Sequence, residues 1–219
     1  VGKRAGRILP VVPGVPMRPR NRAAERDVGR GELRRERVLG EPEHVGDEPE
    51  DRAQACAREC KTKPYQDYRE LLGKVDAASI VVPSQHHHAI SRDFLMKGTH
   101  LLIEKPITTS LEEADDLLQL AATHACLIQV GHIERYNSAI RAIKDVIKAP
   151  RFIECHRLGP YDPRVVQTGV TLDLMIHDID IVLDLVRSPI ESVDAVGAYI
   201  LSATEDLANA RIRFANRSV

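Results

Sequence analysis

Tryptophan is absent from this 219-residue chain, and three phenylalanines and five tyrosines are all the aromatic side chains it has. Single-stranded nucleic acid is normally gripped by stacked aromatics, and the first aromatic here is Tyr65, so that class of partner is disfavoured. Cysteine is also scarce. Cys56, Cys60, Cys126 and Cys155 form neither a CxxC pair nor a disulfide framework, which leaves a reducing, cytoplasmic setting as the expectation. No apolar run approaches the roughly 20 residues that span a bilayer. Residues 8–15 are too short, and too broken by Pro10 and Pro13, for a secretion signal. Charge of one sign is missing as well: the net charge of −1 gives no electrostatic reason to expect nucleic acid or a membrane as partner. No internal repeat is present.

What the chain does contain is uneven. Residues 1–42 hold Lys3, ten arginines and five prolines, with no periodic window, and residues 1–44 read as a poorly ordered leader. From about Asp47 the pattern becomes regular. A helix is expected over 50–60 and a short helical turn over 68–72. The run AASIVV at 77–82 reads as a strand covered on both faces and ends at Pro83. A helix over 87–97 stops at Gly98, and the strand HLLIE at 100–104 closes on Lys105 and Pro106. Ser110 to Glu113 form a capping box for a helix reaching about His124, and CLIQV at 126–130 is a third strand. This alternation predicts an α/β fold with a parallel sheet and crossover helices, in which 83–88, 104–106 and 131–137 cluster beyond the carboxyl ends of the strands.

The second half changes rhythm. A helix is expected over 134–148, a strand over 151–158, another helix over 171–186, and strands over 193–201 and 208–214. Strands joined by hairpin-like turns point to a mostly antiparallel sheet backed by helices. Three regions follow: 1–44 as leader, 45–131 as a first, partial domain, and 132–219 as a second α/β domain that stops short.

The helix over 171–186, TLDLMIHDIDIVLDLV, carries the most chemistry. Asp173, His177, Asp180 and Asp184 are spaced four, three and four apart and therefore share one stripe, with Asp178 off it. Apolar residues cover most of the remaining circumference, which predicts a largely buried helix whose polar seam faces a partner. An acid and histidine seam of this kind serves catalysis, or it lies in water as an acidic stripe with His177 satisfied locally. The run His86, His87 and His88 invites a metal, but adjacent residues at a helix start point about 100° apart and do not converge on one ion. No metal is expected.

Four segments in order carry a resemblance: Pro83-Ser84-Gln85-His86-His87, Glu104-Lys105-Pro106, Gly131-His132-Ile133-Glu134-Arg135-Tyr136-Asn137, and Asp173-x-x-x-His177-x-x-Asp180. Together they resemble the Gfo/Idh/MocA oxidoreductases over about residues 47–214. LIEKPIT, VGHIERYN, ECHRLGP and DLMIHDIDIVL look closest to the nucleotide-sugar branch that oxidises UDP-N-acetylglucosamine at carbon 3. The resemblance implies a Rossmann-like domain followed by an α/β domain with an open sheet. It implies NAD as cofactor rather than NADP, a sugar or nucleotide-sugar substrate, and a homo-oligomer formed through the second sheet.

The same resemblance distributes the work. His177 would be the general base, Asp173 would orient it, and Lys105 would stabilise charge on the substrate oxygen. Pro83, His87, Glu104 and Lys105 would lie against the cofactor. Arg135, Tyr136, Asn137, Tyr161 and Asp180 would line the substrate side, with Asp180 either holding a sugar hydroxyl or supporting His177. Asp184 is expected at the surface.

Two departures from the family pattern stand out. Gly29 and Gly31 have the spacing of the phosphate-binding glycines, but Arg34 occupies the third place and no apolar strand precedes them. Asp47 remains as the acid for the adenosine ribose. The leader is therefore expected to come from a frame error or a damaged gene, and the chain to end before the second sheet is complete. The alternative function is an inactive fragment that retains only sugar binding.

Overall fold

The computed structural model describes Gln54, Ala57, Arg58 and residues 63–65, 67–160 and 168–219. All of these belong to one compact unit, Glu32–Val219. The leader, Asp47, Tyr161, both paired glycines and most of the helix expected over 50–60 lie outside the described residues.

Three short strands, β1 (Ala77–Ile80), β2 (His100–Ile103) and β3 (Ile128–Val130), run parallel in that order, with Ala77 opposite His100 and Leu101 opposite Ile128. The crossovers are α1 (His87–Leu95) and α2 (Leu111–Thr123). Period-two alternation puts Ala78, Ile80, Leu101 and Ile103 on one face. There they meet Phe94 and Leu95 of α1, Leu117 and Ala121 of α2, and Leu71, Val75 and Cys126. Each fully buried large side chain in this cluster contributes roughly 1.5–3 kcal/mol. The other face is only partly covered, since Leu102 and Gln129 are exposed. The expectation that residues 77–82 are covered on both faces is met in part: Ala77 and Ser79 are half-buried, and Val81 beyond β1 is exposed.

Local signals explain the helix limits. Gly98, at φ 78°, donates to Leu95 O while Thr99 N donates to Phe94 O, closing the last turn of α1. Ser110 Oγ accepts from Glu113 N, as a capping box requires, but Glu113 reaches back to Thr109 rather than to Ser110.

The second half holds α3 (Ser138–Lys144), α4 (Ile176–Val186) and an antiparallel pair, β4 (Ile190–Ala198) and β5 (Leu207–Phe214). Four expectations change here. The helix expected over 134–148 is split: Ile133–Tyr136 is a 3₁₀ turn, and α3 starts afresh because Asn137, extended at ψ 137°, caps Ala139 N with its side chain. The strand expected over 151–158 is irregular: among the described residues its backbone pairs through Ile153 N to Val219 O and Val219 N to Arg151 O. The helix expected over 171–186 opens with a π-helical stretch, Thr171–Met175, before α4. Finally, α4 is half-buried rather than largely buried, with Asp180, Ile181, Asp184 and Val186 its only buried residues.

Candidate active site

Beyond the carboxyl ends of the parallel strands the chain makes three turns, and they are tied together. Glu104 N donates to Ile80 O, and Gly131 N donates to Ile103 O. A Cβ on Gly131 would lie 2.9 Å from a Glu104 carboxylate oxygen and 3.2 Å from its Cα, so only glycine allows β3 to leave the sheet this close to β2. The loop after β2 contains Lys105 and Pro106, joined by a cis peptide bond.

Each carboxylate expected on the acidic stripe is committed to a cation from another segment. Lys105 Nζ donates to Asp173 Oδ1 and to Asp173 O, both at 2.8 Å. Arg135 grips Asp180 with two nitrogens, the Nε contact being 2.8 Å. Lys144 Nζ of α3 donates to Asp184 at 2.5 Å. Even Asp178, off the stripe, is taken by Arg157 in a forked contact of 2.8–3.2 Å. Asp184 is thus buried and paired rather than a surface residue, since Arg135 and Arg187 also approach it. Asp180 beside it holds the Arg135 guanidinium above its ordinary pKa.

These pairings redistribute the expected roles. Asp173 holds Lys105, and Asp180 holds Arg135. Neither accepts a hydrogen bond from His177, whose buried Nδ1 has no hydrogen-bond partner among the described residues. Burial pushes the His177 pKa below 6.5, and the nearby cations Lys105 and Arg157 push it the same way against Glu134. A neutral imidazole facing two cations can accept a proton, as a general base must.

Of the other expected residues, Glu104 is half-buried against Gly131 and accepts weakly from Lys105 N at 3.3 Å. Pro83 accepts from His86 N and caps a 3₁₀ turn. Tyr136 is exposed beside Arg135. Asn137 spends its side chain on Ala139 N and Glu134. His87 offers nothing to a ligand: its ring is buried, with both nitrogens on backbone carbonyls, so its assignment to the cofactor is corrected. The three neighbouring histidines part company, His88 going to Asp116 and His86 to Gln85. Among the described residues no group of three or more metal-ligating side chains converges, and no helix is long and apolar enough to cross a membrane.

Residues that the sequence did not single out also enter the site. His132, half-buried after β3, has an unpaired buried Nδ1, and burial lowers its pKa although Asp180 pulls it upward. Arg157 and Glu134 face His177. Glu205, in the β4–β5 loop, accepts from Val170 N through its carbonyl at 2.9 Å and from Thr171 N through its carboxylate at 3.3 Å, tying the hairpin to the start of the π-helical stretch. Gly169, at φ 72°, leaves room for that carboxylate. His132, Glu134 and Arg157 lay inside motifs already quoted, but Glu205 carries no sequence signal.

The loops beyond β1, β2 and β3 gather at the carboxyl ends of the strands, where open parallel sheets bind ligands, and Lys105 reaches from there to Asp173, one turn before His177. Comparisons with known proteins bear on this arrangement. Residues 23–132 match the family model described as oxidoreductase family, NAD-binding Rossmann fold, and residues 147–219 match that of the GFO/IDH/MocA C-terminal domain. The chain is 35% identical over 193 residues to UDP-N-acetylglucosamine 3-dehydrogenase of Acidithiobacillus ferrooxidans, covering 88% of this chain and 62% of that relative. It is 29% identical over 165 residues to scyllo-inositol 2-dehydrogenase (NAD(+)) of Bacillus subtilis, covering 70% and 48%. A solved structure of the Acidithiobacillus ferrooxidans enzyme superposes with a TM-score of 0.70 at 37% identity, over 77% of this chain and 56% of that one. The chain therefore spans less than two thirds of the length of these relatives.

Proposed function

The chain belongs to the Gfo/Idh/MocA oxidoreductase family, and from that premise we propose that it serves the NAD-dependent oxidation of a secondary hydroxyl on a sugar or nucleotide sugar. The specific substrate we assign is UDP-N-acetylglucosamine, oxidised at carbon 3, in keeping with the 35% identity to a relative named for that activity. The observation that carries the reading is the contact of Lys105 with Asp173, 68 residues apart, which sets a strand-end lysine beside the helix of an uncharged histidine. We divide the chain functionally at 131–132, cofactor side before and substrate side after, in keeping with family matches that part between 132 and 147.

In this mechanism His177 takes the hydroxyl proton. Its Nδ1 is buried, so the proton arrives at Nε2, and loss of the proton leaves negative charge on the substrate oxygen. Lys105 stabilises that charge, and Asp173 holds the ammonium where it is needed rather than orienting the imidazole. Pro83, Glu104 and Lys105 at the strand ends would hold a nicotinamide cofactor, which would accept the hydride from the carbon that bears the hydroxyl. Arg135, fixed by Asp180, and Tyr136 and Asn137 present the substrate side, with Tyr161 beyond the described residues. The homo-oligomer remains part of this proposal, through the β4–β5 sheet.

The test is a titration with NADH followed by nicotinamide fluorescence, then turnover of UDP-N-acetylglucosamine and NAD followed by formation of reduced nicotinamide. Lys105→Ala and His177→Ala should each lower turnover by about 10²–10⁴-fold while NADH still binds. No NADH binding by a folded sample, or near-normal turnover in both variants, overturns the reading.

A further inference from the structure

His87 is among the most buried polar residues of the protein, at 1% exposure, and its ring lies between two backbone carbonyls from different strand-end loops. Nδ1 is 2.8 Å from Pro106 O, after β2, and Nε2 is 2.8 Å from Val82 O, after β1. A carbonyl oxygen only accepts, so each of these contacts is a hydrogen bond only if the facing nitrogen carries hydrogen. An imidazole with one N–H completes one of the two bonds, and a ring with both nitrogens protonated completes both.

The surroundings leave the ring little freedom. His87 is the first residue of α1, whose Ser91, Phe94 and Leu95 are buried in the core, so the imidazole is anchored from below. The carbonyl it holds belongs to Pro106, the neighbour of Lys105, whose Nζ must reach Asp173 on the second half of the molecule. The ring is therefore the direct side-chain link from the apolar core to the loop that aims the lysine.

We propose that His87 is a positioning residue for Lys105, its buried ring wedged between the Pro106 and Val82 carbonyls and holding the loop after β2 through the contact of Nδ1 with Pro106 O. The consequence for catalysis rests on the function proposed above, but the positioning itself does not, and it can be read without turnover.

The experiment follows the rate at which an amine-reactive acetylating reagent labels Lys105, with Lys97 and Lys144 as internal references, by mass spectrometry of the full chain. His87→Ala should release the loop, loosen the contact with Asp173 and raise Lys105 labelling by about tenfold, the effect of losing one such bond, with the references unchanged. Added imidazole, which carries an N–H donor, should restore slow labelling, whereas thiazole, of similar shape but without N–H, should not. His87→Gln, which keeps an N–H donor of similar reach, should label much more slowly than His87→Ala and serves if the alanine variant does not fold. Unchanged labelling in His87→Ala, equal rescue by thiazole, or alanine-like labelling in a folded His87→Gln overturns the proposal. Wild-type protein that labels as expected but neither binds NADH nor turns over overturns the proposed function and leaves this one standing.

Discussion

The two halves of the described structure are held by different means. Under the parallel sheet, Phe94, Leu95, Ile80, Ile103 and Leu117 form a cluster with almost no polar atoms to satisfy. Along α4 and the stretch before it, Asp173, Asp178, Asp180 and Asp184 are each met by a cation from another segment: Lys105, Arg157, Arg135 and Lys144. The first arrangement depends on volume and is indifferent to protonation. The second depends on every partner being present, and among the described residues it leaves His177 and His132 each with a buried Nδ1 that has no partner. The proposed chemistry falls in the second, since a group that is to exchange a proton cannot already be spent.

That contrast can be broken from either side. Phe94→Ala empties the centre of the apolar cluster and should cost about 3–5 kcal/mol in urea unfolding, at any pH where the chain folds; a loss under about 1 kcal/mol would mean the cluster repacks freely. Asp180→Asn removes one charge from a partly buried pair and leaves Arg135 short of its partner. It should cost about 1–3 kcal/mol, with Phe94→Ala adding to it independently. A smaller effect is expected from acid. His132 and His177 have folded-state pKa values below 6.5, so the unfolded chain binds protons more readily than the fold does. Their contribution to stability is complete above 6.5 and is lost as pH falls below it, and replacing both by asparagine should flatten that part of the stability profile.

How much of this was legible in the sequence differs between the halves in the same way. The parallel strands, the Gly98 stop and the Ser110 cap were readable because strand alternation and caps are local signals. The break at Asn137 was not, because Glu134 to Lys148 keeps helical periodicity while a single side chain diverts the backbone. The stripe on α4 was read correctly as geometry, but its partners were not, since contacts such as Lys105 to Asp173 and Arg157 to Asp178 join distant segments and leave no spacing to find. Asp184 was misplaced at the surface for that reason: nothing near it in sequence shows that Lys144 and Arg135 cover it. His87 was placed near the cofactor by its position after Pro83, and the fold turns its ring inward to the Pro106 and Val82 carbonyls instead.

The central claim is that the paired acids and their cations leave His177 uncharged and available as a base. A ring-selective NMR titration of His177, in the wild type and in Arg157→Gln, tests it most directly. The account predicts a midpoint below 6.5 that moves upward when the Arg157 charge is removed. A wild-type midpoint at or above 6.5, unmoved by Arg157→Gln, would contradict it.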